Sequence, residues 1–275
     1  MPSNIHFISG LPRSGSTLLS ALLRQNPRFS AAVASPVASF FDALQPVLSR
    51  GEFAAVLGDE TRSDMLHGVV DSFYARTRAR LGANPVVFDS NRTWTARMAA
   101  VATLFPSARV ICCVRDIGWI LDSFECMMNK NPLLLPRLFN FQREPSVYAR
   151  TEILMHGDTG LVGQSWATLH EAWFGEQAKR LVLVPYDHLV KEPKRTLQRL
   201  YAEIGEPYFE HNFNDCEYDE PEYDAYIGMP GLHAVRKKVE YRERKPSIPP
   251  DIFYKYAANQ FWDKAELNSR GVAII

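Results

Sequence analysis

Ile5-His-Phe-Ile-Ser-Gly-Leu-Pro-Arg-Ser-Gly-Ser-Thr-Leu-Leu-Ser-Ala-Leu-Leu-Arg24 is the stretch that decides the fold. An apolar run, Ile5 to Ser9, enters a Gly/Pro/Ser turn, and Leu18, Leu19, Leu22 and Leu23 then recur at helical spacing. Strand, tight loop, helix is the arrangement that aims backbone N–H groups and a helix N-terminus at a phosphate. From Gly10 the spacing is Gly-x-x-x-x-Gly-Ser-Thr, a Walker A loop with Ser16 where the lysine would stand. The basic residue is inside the loop instead, at Arg13. Pro12, Arg13, Ser14, Gly15, Ser16 and Thr17 therefore read as an anion-binding loop of a kind unlike that of an ordinary ATPase.

Outward from this loop, apolar strands alternate with helical patterns. Val86-Val87-Phe88 ends at Asp89-Ser90-Asn91-Arg92, and Arg109 to Val114 is a second β-branched strand. A third runs from Arg180 to Pro185. Helices are expected after Pro36 (Phe40, Phe41, Leu44, Val47, Leu48), over 61–81 (Met65, Leu66, Val69, Val70, Phe73) and over 94–104. Others are expected over 116–128 with Asp116 as cap, over 161–179, and over 193–205 from Pro193 to Gly205. Residues 29–35 are weakly patterned, and 129–160 is broken by Pro132, Pro136, Pro145 and Gly157. The alternation predicts an α/β fold: one domain with a mostly parallel central sheet flanked by helices.

Composition narrows the partners. Lys plus Arg and Asp plus Glu both number 31, so no general field for nucleic acid or anionic lipid exists and any basic site is local. No apolar run reaches membrane-span length, and the chain enters its first strand too early for a signal peptide to be expected. Cys112, Cys113, Cys126 and Cys216 lack zinc spacing, and the adjacent pair suits core thiols in a reducing compartment. A cytoplasmic location is expected. Monomer and homodimer stay open.

In parallel α/β sheets ligands sit beyond the carboxyl ends of the strands. That rule gathers Gly10–Thr17, Asp89–Trp94, Arg115–Gly118 and Tyr186–His188 in one place. Arg115 stands at a strand end with Ser123 eight residues on, a second anion site beside the first. Two such sites suit a nucleotide phosphorylated at two ends, as adenosine 3′,5′-bisphosphate is and ATP is not.

Together these residues resemble the sulfotransferase family, which uses 3′-phosphoadenosine 5′-phosphosulfate (PAPS). Pro12 to Thr17 looks like that family's 5′-phosphosulfate loop, and Val114-Arg115-Asp116…Ser123 like its 3′-phosphate motif. Pro185-Tyr186-Asp187 is similar to the strand and tyrosine that lie against the nucleotide. The likeness runs over residues 5–205 and is nearest to the bacterial and Golgi-type branch, tyrosylprotein sulfotransferases included. It implies the sulfotransferase fold over 1–275, a C-terminal lid or extension over 206–275, and in-line sulfonate transfer with no metal. The acceptor is a small molecule or a peptide, offering a hydroxyl (tyrosyl or phenolic among them) or an amine, and PAP is the product.

The resemblance leaves the general base open. Where the tyrosylprotein enzymes carry a glutamate after the first helix, Ala31 to Pro36 offers no acid or histidine. Asp89 is the first choice among Asp89, His170, His188 and Asp42, and Arg92 would place charge on the transferring sulfonyl group. Residues 215–224 carry six acids and no base, with Tyr218 and Tyr223 among them and Tyr226 just beyond. Residues 236–245 carry six bases and two acids. His233, Arg236, Lys237, Lys238 and Lys245 are candidates to cover the nucleotide, Arg236 and Lys245 foremost, with Gly228, Pro230 and Gly231 as hinge. Two other readings compete: a P-loop kinase or other phosphotransferase, which needs a lysine at position 16 and a magnesium-holding acid, and a non-catalytic nucleotide-binding member of the same fold.

Overall fold

One parallel sheet runs in the order β2 (Phe29–Ala31), β3 (Val86–Ser90), β1 (Ile5–Gly10), β4 (Val110–Val114), β5 (Leu181–Pro185), β6 (Ala273–Ile274). The computed structural model describes residues 4–142, 146–257 and 259–275; the Met1–Ser3 lead-in and Pro145 lie outside them. β1 (Ile5–Gly10) leads through the loop into α1 (Ser16–Leu23), and β2 is Phe29–Ala31. Three helices follow: α2 (Val37–Ser49), α3 (Gly51–Val56) and α4 (Asp59–Leu81). β3 (Val86–Ser90) continues through a 3₁₀ segment, Arg92–Arg97, into α5 (Met98–Leu104). β4 (Val110–Val114) leads into α6 (Ile117–Lys130), then α7 (Val147–Met155) and α8 (Leu161–Phe174). β5 (Leu181–Pro185) runs into α9 (Tyr186–Lys191) and α10 (Pro193–Ile204). Two short helices, α11 (Pro221–Tyr226) and α12 (Pro250–Ala257), precede β6 (Ala273–Ile274).

Every pairing within this sheet is parallel, and β1 lies between β3 and β4. The chain winds from β1 to one edge, then crosses after β3 to the other, so β1 sits where the winding reverses, the usual place for a ligand crevice. Alternation along the strands sends Phe7, Val87, Cys112 and Leu183 to one face and Ile8, Phe88, Cys113 and Val184 to the other. The first face is covered by α2, α4, α5, α6, α8 and α12, the second by α1, α9 and α10. Leu19, Leu22 and Leu23 of α1 are fully buried; each contributes about 1.5–3 kcal/mol at most. Cys112 and Cys113 are free thiols in this core, as expected, and burial pushes Cys113 up to about 12.

Several boundaries differ from the sequence reading. Residues 29–31 of the weakly patterned stretch form an edge strand, and the proline-broken 129–160 region contains α7. The helix expected to Lys179 ends at Phe174, before Gly175, and Tyr186–His188 begin a helix and not a loop. On α4 the expected apolar face is only partly used: Val70 and Tyr74 are buried, while Met65 and Phe73 are 42% and 43% exposed. Gly205 closes α10 with φ +72°, the left-handed cap its position predicts.

The segment 206–275 is not all cover. β6 extends the sheet along β5, and α12 packs on α6, the Trp119 and Phe253 rings 4.9 Å apart. The stretch from Tyr223 to Arg244 borders the cavity described next, together with Gln260, Trp262 and Asp263.

Candidate functional site

The loop after β1 is shaped by backbone that few side chains tolerate. Gly10 has φ +97°, and a Cβ there would lie 2.4 Å from the Cys113 carbonyl oxygen on β4. Arg13 adopts φ +56° and Gly15 φ +95°. Three left-handed residues wrap the chain into a tight cradle that delivers Gly15 as the N-cap of α1. Tyr186 closes the outer side, its ring edge 3.0 Å from where a Gly15 Cβ would stand.

A cavity of about 1360 Å³ opens at the carboxyl ends of β1, β3, β4 and β5. The four loops gathered by the sequence reading meet there. Pro12, Arg13, Gly15, Ser16, Thr17, Arg92, Arg115, Ser123, Tyr186 and Arg236 border it. Ser14 does not: its side chain is fully buried and its Oγ donates to the Pro12 carbonyl at 3.2 Å.

Arg13, Arg115 and Arg244 lie together in the cavity wall. Arg13 Nε donates to Ser123 Oγ at 3.1 Å and its Nη1 to the Leu232 carbonyl. Burial and then the neighbouring Arg115 charge hold Arg13 down at about 10, against a partial pull upward from Asp224. Arg115 lies over the Tyr186 ring at 4.1 Å, and its Nε is buried with no hydrogen-bond partner. Desolvation lowers Arg115 first, and Arg244 lowers it further. Arg244 is paired with the fully buried Asp122 and lies over Trp119 at 4.7 Å. Among the described residues neither Arg13 nor Arg115 has an acidic ion-pair partner. Burying cations this way costs several kcal/mol per ion unless an anion arrives.

Asp116 caps α6 by accepting from Trp119 N at 3.1 Å, and its other oxygen accepts from Gln260 Nε2 at 2.6 Å. Both bonds fix the helix that carries Ser123.

Asp89 has a different place from the one expected of a base. It is fully buried, does not border the cavity, and takes three hydrogen bonds of 2.6 Å, from Ser35 Oγ, Tyr74 Oη and Trp94 Nε1. Burial raises it while those three donors oppose the rise. With its lone pairs engaged and no path to solvent, Asp89 ties α2, α4 and the 92–97 turn to β3 and is not placed to accept a substrate proton. Asp42 is paired with Arg97, and His170 is stacked on Trp166 at 4.7 Å away from the cavity. His188 does border the cavity, with Nδ1 on the Ile275 carbonyl at 2.9 Å.

Lys245 is exposed and outside the cavity wall; its neighbour Arg244 turns in, and Arg236 borders the cavity. The sequence reading missed Arg244 and also the pairing of His233 with Asp224. Asp224 belongs to the acidic run yet is fully buried, and accepts from His233 N at 2.8 Å and Nδ1 at 2.5 Å. Lys237 sits 3.8 Å from Asp215, so the acidic and basic runs also meet.

Fold and site define an α/β protein whose cations gather at the carboxyl ends of a parallel sheet, around a left-handed loop after the central strand. A family model described as the sulfotransferase family matches residues 6–210, and the chain belongs to that family. The sulfotransferase domain from the curacin biosynthetic pathway superposes with a TM-score of 0.59 at 16% identity, covering 94% of this chain and 97% of that one. The mouse sulfotransferase SULT7A1, solved complexed with PAP, gives 0.50 at 13% identity, covering 97% and 83%. At these identities the likeness is one of fold. No curated protein sequence gives a significant match. Among the described residues no helix is long and apolar enough to cross a membrane.

Proposed function

We propose that this protein transfers the sulfonate group of PAPS to a hydroxyl or amine acceptor by in-line displacement, releasing PAP. The observation that carries the reading is the pair Arg13 and Arg115, desolvated and mutually repelling in one cavity, with Arg115 Nε left without a partner. A doubly anionic nucleotide supplies what these charges lack.

In this reading Ser16, Thr17 and the backbone N–H groups of 14–17 hold the 5′-phosphosulfate, and Arg13 offsets charge developing on the leaving phosphate oxygen. Arg115 and Ser123 hold the 3′-phosphate, Tyr186 keeps Arg115 in place, and Arg236 and Arg244 close over the nucleotide from the 223–244 stretch. Lys245 keeps no part in this assignment, and Asp89 has a structural one. Arg92 faces the acceptor side. The cavity there is bordered by Met127, Leu138, Leu161 and Met229, which suits an acceptor with an apolar body, phenolic or peptide-borne. A cytoplasmic location remains part of the proposal.

The kinase alternative is disfavoured by Ser16 at the Walker lysine position. Calorimetry with PAP and with magnesium-ATP tests the choice. PAP binding with no ATP binding supports the proposal, and the reverse order sinks it.

A further inference from the structure

His233 and Asp224 form a dyad that neither the anion sites nor the packing of the lid uses up. Asp224 is at 0% exposure inside a stretch rich in acids, and a buried carboxylate is costly unless it is fully hydrogen-bonded. One oxygen accepts the His233 backbone N–H at 2.8 Å, and that contact alone would fasten the turn. The other oxygen takes the ring, Nδ1 at 2.5 Å. Because a carboxylate only accepts, Nδ1 carries the proton in the neutral ring and Nε2 keeps its lone pair. His233 borders the cavity, so the Nε2 edge is the one left to face it.

The dyad is held rigidly beside the phosphosulfate loop. Met229 N donates to the Asp224 carbonyl at 2.9 Å, Leu232 N to that of Met229 at 3.1 Å, and Val235 N to that of Tyr218 at 2.7 Å. Gly228 and Gly231, at φ +71° and +79°, make the turn that brings residue 233 back to residue 224. The carbonyl of Leu232, one residue before the histidine, accepts from Arg13 Nη1. His233 is thereby placed next to the contact with the Arg13 loop, whereas His188 lies two residues past Tyr186, on α9.

We infer that His233 is the general base of the sulfonate transfer and that Asp224 positions it and fixes its tautomer, an inference that rests on the sulfotransferase reading above. Nε2 takes the proton of the acceptor O–H or N–H as the acceptor atom forms its bond to sulfur. The bond between sulfur and the 5′-phosphate oxygen breaks, and its electron pair leaves with PAP. The imidazolium that results is stabilised by Asp224. Charged and titratable groups around the ring are Asp224 and Tyr223 of α11, the latter's ring 5.4 Å away, Arg13 from the β1 loop, and Arg92, which feels Tyr223.

The test is sulfonate transfer from PAPS to phenols of graded acidity and to water, measured for wild type, His233→Gln, His233→Ala and Asp224→Asn, with PAP affinity by calorimetry. His233→Gln is expected to lower kcat by about 10²–10⁴-fold with the least acidic acceptors. The loss shrinks as the phenol becomes more acidic, the acid limb of the kcat/KM profile disappears, and PAP affinity stays within about twofold. Asp224→Asn moves kcat the same way by less, and imidazole restores part of the His233→Ala rate. A His233→Gln protein with wild-type kcat across the series overturns the inference, as does one whose only defect is weaker PAP binding. Failure of the wild-type protein to bind PAP is a different result, and it removes the sulfotransferase reading itself.

Discussion

Arg13 Nε donates to Ser123 Oγ at 3.1 Å across 110 residues of chain, joining the loop after β1 to the helix after β4. The two anion motifs, which the sequence presents as separate, are therefore one hydrogen-bonded unit. Arg13→Ala is expected to weaken PAP binding by about 1.5–3 kcal/mol, the scale of a hydrogen bond to a charged group. Calorimetry on Arg13→Ala, Ser123→Ala and the double variant should give effects that fail to add by about 0.5–3 kcal/mol. Strict additivity would mean that the two motifs act independently.

Asp89 supports three donors that come from 54, 15 and 5 residues away in the chain. Asp89→Asn is expected to destabilise the protein by about 1–3 kcal/mol for each donor left stranded. PAP affinity should survive in the folded fraction. Urea unfolding beside steady-state rates checks this. Unchanged stability with activity lost would restore Asp89 to the chemistry.

Gly10 is fixed by two constraints at once, a left-handed φ and the Cys113 carbonyl where a Cβ would go. Gly10→Ala should cost about 2–3 kcal/mol or more, since both the backbone and the β1–β4 contact must shift. A chemical denaturation curve superimposable on wild type contradicts this.

His6 and His211 are buried and held down to about 4, burial being the main cause in each and Arg109 adding to it at His6. Both rings are neutral in the fold, whereas the unfolded chain binds their protons near 6.5. The unfolded state therefore holds more protons between those values, and stability falls as pH drops through the window, levelling off below it. Each ring accounts for on the order of 1–3 kcal/mol by the bottom of the window. Urea midpoints at about pH 7 and about pH 5 should differ more for wild type than for a His6→Gln, His211→Gln variant. Equal differences would assign the loss to other groups.

The parallel sheet and the tight loop after β1 are legible because each rests on local chemistry. Ile5–Ser9, Val86–Phe88 and Val110–Val114 are continuous β-rich runs, and Gly10 and Gly15 mark the backbone that must turn left-handed. β2 and β6 were hidden because strands of three and two residues carry no periodicity. The burial of Asp89 is not legible, because a strand-end carboxylate looks outward until Ser35 and Tyr74 are brought to it by the packing of α2 and α4. The dyad was invisible for a related reason. Asp224 and His233 are nine residues apart across a glycine turn, and no repeat or spacing rule joins such a pair. Arg244 is not distinguishable from Lys245 in the sequence, because a basic run does not say which of its members turns inward over Trp119.

The most direct test of the two-ended nucleotide site is the affinity of Arg115→Ala for PAP and for adenosine 5′-monophosphate, which lacks the 3′-phosphate. The wild-type protein should prefer PAP. Arg115→Ala should lose about 1.5–3 kcal/mol of PAP binding and leave the monophosphate nearly unchanged. PAP affinity unaltered by Arg115→Ala would contradict the account and leave the loop after β1 as an anion site with no nucleotide assigned to it.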